Sequence, residues 1–142
     1  MTIEPWTDWI TATQIKSLHD EGIRQHGGKN SSPPEKGCLE RSLGAAYNAE
    51  LYSMPEVESE TIISGLCFCG YLLFYLIQNN CFIDGNKRVG WTSSMYVLLG
   101  LGLTLDVSDE EAEQLCLQVA EGKIRKGEDV VYWIAERLKA LA

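Results

Sequence analysis

Apolar residues fall at helical spacing over most of the chain, and the breaks between runs carry cap and stop residues. Thr11, with Gln14 three residues on, has the pattern of a capping box. The helix it opens carries Ile15, Leu18 and Ile23 and stops at Gly27-Gly28. A loop holding Pro33-Pro34 follows, and then Leu39, Leu43, Ala46 and Tyr47 mark one face of a short helix over roughly 39–51. From Ser59 to Gln78 the chain is apolar nearly all round, as in a helix at the middle of a bundle. Phe82–Asn86 reads as a loop, and 87–99 as a second buried helix ended by Gly100 and Gly102. "LTLDVS" reads as extended chain with at most a short strand. Ser108 and Glu111 repeat the capping-box pattern and open an acidic helix to Ala120, which Gly122 ends. A last helix is expected from about Glu128, with Val131, Ile134, Leu138 and Leu141 turned inward. Six helices with little or no strand predict an all-α orthogonal bundle.

The 142 residues make one domain, 1–142, and 45 % apolar composition suffices for one core. A net charge of −8 argues against nucleic acid and against anionic membrane surfaces as partners. Any phosphate must be held locally, by a few bases and backbone amides. Five cysteines, an odd number scattered along the chain, do not make a secreted disulfide framework. "MTIEPWTDWI" lacks the basic and apolar regions of a signal peptide. The longest apolar run, Ile62–Ile77, is short for a membrane span. A cytoplasmic protein is expected.

The chemistry concentrates in "NNCFIDGNKRVGW", residues 79–91, where one apolar run stops and the next begins. The first N–H groups of a helix have no intrahelical partner and carry partial positive charge, which makes an anion site. Gly85 lets backbone approach a ligand closely. Lys87 and Arg88 fall in the first turn, where the helix dipole disfavours bases, so an anion is the expected compensation. Asp84 is a hard oxygen ligand suited to Mg²⁺ on a nucleotide phosphate. Asn86 can cap the helix or orient a substrate. The plain alternative is an Asp/Asn cap followed by exposed bases. Neither a G-x-x-x-x-G-K-[ST] loop nor G-x-G-x-x-G is present.

"NCFIDGNKR" resembles the signature of the Fic/Doc family, in particular the death-on-curing (Doc) toxin branch, whose motif reads H-x-F-x-D-x-N-K-R. "LHDEGIRQHGG", "GCLERSL" and "LGLGLTLDVSDEE" extend the resemblance over most of the chain. It implies a helical bundle that transfers part of a nucleoside triphosphate, bound with Mg²⁺, to a protein hydroxyl. Many Fic members transfer AMP; Doc-type toxins are associated with phosphorylating elongation factor Tu and halting translation, and are paired with a small antitoxin. It further implies that Phe82 anchors the loop, that Asp84 holds Mg²⁺, and that Asn86 with the amides near Gly85 cradles phosphate. Lys87 and Arg88 then meet the remaining phosphate oxygens.

The departure is Asn80, where the family motif has the His that acts as general base. An amide cannot take that proton at neutral pH, and loss of a positioned base costs about 10²–10⁴ in rate. Neither Asn79 nor Cys81 replaces it. Asn80 reads either as a natural loss, giving a pseudoenzyme that binds nucleotide or protein without catalysis, or as an engineered substitution in a toxic transferase. The intact remainder of the motif favours the second.

Other residues read more plainly. His19 and His26, seven apart, lie near one helix face, with no third metal ligand in sequence. Cys67 and Cys69 are expected to be small core residues, and Trp6, Trp9, Trp91 and Trp133 to be packing. "SLHDEG", Ser17–Gly22, matches the letters of the inhibitory-helix motif of some Fic proteins, in which a Glu blocks a phosphate-binding Arg; here it coincides with the first helix and is read as chance. The acidic run Asp109–Glu113 reads as a solvated helix start.

Overall fold

The computed structural model describes residues 9–27, 33–53 and 61–141, with the backbone alone described at 50–53 and 61–63. Trp6, the middle of the loop after the first helix, and the expected helix start at Ser59 lie outside the described residues. Among the described residues six helices and two short strands follow in order: α1 Ala12–His26, α2 Cys38–Ser53, α3 Thr61–Asn79, α4 Asn86–Gly100, β1 Leu103–Leu105, α5 Asp109–Ala120, α6 Gly127–Ala135 and β2 Leu138–Ala140. The predicted all-α bundle is the observed class.

The cap signals act as read. Thr11 accepts from the Gln14 amide while the Gln14 side chain accepts from the Thr11 amide, and Ser108 and Glu111 do the same for α5. Gly27 closes α1 at φ 77°, in the region that favours glycine. Every residue of α3 from Cys67 to Phe74 is buried, as are Leu76 and Ile77. The helix is about 28 Å long and packs against α2, α4, α5 and α6. Glycines set how near its neighbours come. A Cβ on Gly70 would stand 2.6 Å from Val131 Cγ2 and 2.8 Å from Val131 Cα in α6. A Cβ on Gly90 of α4 would stand 2.9 Å from Ile77 Cγ1 in α3. Trp9 packs on Phe68, with ring centroids 4.8 Å apart, and closes the core near the start of α1.

Two features differ from expectation. The last helix is shorter: it ends at Ala135, and the chain turns into β2, whose Leu138 pairs with Leu105 antiparallel. The Arg137 guanidinium donates to Trp133 O at 2.9 Å and lies 4.2 Å from the centre of the Trp133 ring, which anchors the turn. Leu141 is therefore half exposed rather than inward. The other feature is a disulfide, Cys38–Cys81, with Cα atoms 5.5 Å apart. One bond is no framework, but it ties the start of α2 to the residue after Asn80. Closing a loop across 43 residues contributes about 4 kcal/mol on the chain-entropy account. Cys67, Cys69 and Cys116 are buried and lie outside the disulfide.

Three outcomes follow. Gly70→Ala should lower stability by about 1–3 kcal/mol in urea unfolding, because the new methyl meets α6 backbone, which outweighs the helix-propensity gain of about 1 kcal/mol. Gly100→Ala, where a Cβ meets nothing within 4 Å, should raise stability by about 0.4–1 kcal/mol. Denatured without reductant, the chain should take three alkyl groups at cysteine by mass; after reduction it should take all five.

Candidate functional site

α3 ends at Asn79, and Asn80 takes φ 47°, the left-handed conformation that stops helices. Asparagine tolerates that region better than most residues. Asn80 is exposed at this corner. The chain then runs through Cys81 and Phe82, both buried, to Ile83 and Asp84, both exposed. Gly85 turns at φ 79°, and α4 begins at Asn86.

Three elements hold this loop. α2 grips its start through the disulfide, and the Glu35 amide donates to Cys81 O at 2.9 Å. Asn86 closes the loop on itself: its Nδ2 donates to Phe82 O at 2.8 Å, and its Oδ1 accepts from the Phe82 amide at 3.0 Å. Asn86 is therefore the first helical residue, not a side-chain cap, and its amide group is committed to the loop. α1 supplies the third hold. His19 is buried, its ring stacks on Phe82 with centroids 3.7 Å apart, and its Nε2 lies 2.7 Å from Asp84 O. A carbonyl can only accept, so Nε2 carries the proton. That engagement leaves Nε2 unavailable as a proton acceptor.

The start of α4 has no side-chain cap and no acid in its first turn. The first intrahelical bond is Val89 N–H to Gly85 O, 2.9 Å, which leaves the amides of Asn86, Lys87 and Arg88 without intrahelical acceptors. Lys87 and Arg88 are exposed, and neither forms an ion pair with the described residues. Both line one cavity of about 570 Å³, together with His26 from α1, Trp91 from α4, and Asp109, Glu113 and Cys116 from α5. The cavity thus gathers two cations and an aromatic ring from α4 on one side, with carboxylates on the facing helix, while Phe82, Asp84, Gly85 and Asn86 are not among its lining residues. Its cations match an anionic group and its aromatic ring a planar one.

Burial pushes the Cys116 thiol up to about 12, against the opposing pull of the Lys87 ammonium. At neutral pH it is a thiol and no nucleophile. Glu21 does not reach Arg88: it pairs with Arg24 and accepts from Gln25, and hydrogen bonding to Arg24 lowers its pKa. The letters of the inhibitory motif therefore do not produce the inhibitory contact here. Among the described residues no group of three or more His, Cys, Asp or Glu is placed to hold a metal ion.

The structure thus puts Phe82, Asp84, Gly85, Asn86, Lys87 and Arg88 on one loop-to-helix turn, with Asn80 at its entrance. Sequence reading missed the far walls. His26 was announced only by its seven-residue spacing from His19, and Asp109 and Glu113 by nothing local, since tertiary folding alone brings α5 across from α4.

The description "Fic/DOC family" belongs to the family model that matches residues 9–98, a span running from before α1 almost to the end of α4 and enclosing the loop. No curated protein matches the chain. With more than half of the chain matched, and the matched part containing the helices that build the motif turn, the protein is a member of the Fic/DOC family.

Proposed function

We propose that the chain is a Doc-type member, built to transfer phosphate or AMP from a magnesium-bound nucleoside triphosphate to a hydroxyl of a target protein, a translation factor such as elongation factor Tu. The observation that carries this reading is that Lys87 and Arg88 open into one cavity beside the uncapped start of α4. Phosphate oxygens would accept from the amides of Asn86–Arg88 and from the two side chains, which match them as charge-assisted donors. Asn86 would contribute its backbone N–H, because its side chain is used on Phe82.

Magnesium that arrives with a nucleotide takes most of its ligands from phosphate and water and needs only one or two protein carboxylates. Asp84, exposed on the motif turn, would fit that demand. The ion would neutralise phosphate charge as the bond to the leaving group breaks.

In the transfer the target hydroxyl oxygen bonds to phosphorus, the bond from phosphorus to the leaving phosphate oxygen breaks, and the hydroxyl proton must be taken up. Asn80, at the position of the family base, cannot take it. The chain is therefore a binder with its transfer step impaired. The toxin role implies an antitoxin protein as partner, in the cytoplasm. A second reading, a nucleotide-binding module without catalysis, is supported by the amide at position 80, which accepts no proton at neutral pH.

Calorimetry should show Mg-ATP or another Mg-nucleoside triphosphate binding to the unaltered chain, and Lys87→Ala and Arg88→Ala should each weaken it about tenfold or more. No heat with any Mg-nucleotide would end the reading. Asn80→His should raise nucleotide-dependent labelling of a target protein by about 10²–10⁴-fold. A mass gain of one phosphate or one AMP identifies the reaction, and binding with no labelling after Asn80→His would favour the non-catalytic module.

A further inference from the structure

We propose that His19 is a positioning residue for the motif turn: from α1 it holds the Asp84–Gly85 peptide, and through that peptide it aims the Asp84 carboxylate. This rests on the nucleotide reading for its consequence, but not for its geometry. A single ring touches the loop at three residues. It stacks on Phe82 at 3.7 Å with 9° between planes, donates from Nε2 to Asp84 O at 2.7 Å, and leaves room at Gly85 for no more than a strained Cβ, 3.3 Å from Nε2.

The peptide plane transmits the hold. Asp84 C=O and Gly85 N–H belong to one rigid planar unit and point to opposite sides of the chain. His19 fixes the carbonyl side. On the other side, Gly85 N–H donates to Asp84 Oδ1 at 2.7 Å. Tilting the plane would therefore carry the carboxylate with it. The choice of histidine at this position also needs an explanation that packing does not provide. The residue is only 3 % exposed, and its Nδ1 is buried without a hydrogen-bond partner among the described residues, 3.8 Å from the nearest Asp20 oxygen. A leucine would fill the space without stranding a polar atom. What leucine lacks is the Nε2 donor.

The rest of the same helix face continues the wall. One turn on, Gly22 leaves space for the Arg88 stem, whose Cδ would stand 3.2 Å from a Cβ there, and His26 lines the cavity two turns on. The seven-residue histidine spacing is thus the stripe by which α1 meets the motif.

Two variants separate the parts. His19→Phe keeps a flat ring on Phe82 and removes the donor; His19→Gln restores an N–H at similar reach without the ring. In nucleotide-free protein, His19→Phe should speed hydrogen exchange at the Gly85 amide about tenfold while α3 amides keep their protection, and His19→Gln should recover most of the slow exchange. In calorimetry, His19→Phe should weaken ATP binding about tenfold with Mg²⁺ present and leave binding in EDTA little changed. Unchanged exchange at Gly85 in His19→Phe overturns the proposal, as does loss of α3 protection together with Gly85, which marks a merely structural core residue. Should the unaltered chain bind no Mg-nucleotide, the nucleotide reading fails, and the exchange arm still decides the role of His19.

Discussion

The geometry of the site depends on where α3 stops. This helix is buried around its circumference over most of its length, so its axis is fixed by four neighbours and its end cannot wander. The left-handed turn at Asn80 then delivers Cys81 to α2 and Phe82 to the ring of His19. Gly70 and Gly90 permit the close approach of α6 and α4 that keeps the axis fixed. A looser core would blur the motif turn even with every motif residue present.

The site combines a rigid floor with an open mouth. Disulfide, amide ring and histidine lock the backbone of the loop from three sides, while Lys87 and Arg88 remain exposed without ion-pair partners among the described residues. This division suits a site that meets its charge partner from solution, since pre-formed ion pairs would have to break first and a mobile backbone would have to be ordered on binding. The facing acids on α5 limit the net positive potential of the cavity, in keeping with a chain whose net charge is −8.

Much of this was legible in the letters, for local reasons. Thr11–Gln14 and Ser108–Glu111 write their helix starts in side chains three residues apart, and Gly27 writes a stop. The Asp84–Arg88 cluster could be read because its chemistry is contiguous. The misreadings were non-local. "ERLKA" has good helix formers, and pairing with β1 together with the Trp133–Arg137 contact makes Leu138–Ala140 a strand instead. Cys38 and Cys81 are separated by 43 residues and carry no spacing signature. Asn86 looked like a cap because Asn often is one; that its amide would span back to Phe82 depends on a loop shape no propensity encodes. The cavity walls from α1 and α5 are products of packing, invisible to any window of sequence.

The backbone at Asn80 has a consequence for the history of such chains. Asparagine and histidine both tolerate the left-handed conformation observed there, and their codons differ at a single base. Exchanging one for the other at this corner therefore asks for one base change in the gene and no rebuilding of the bundle. The holds on the turn at Cys81, Phe82 and Asn86 do not involve the side chain at position 80, so they would outlast the exchange.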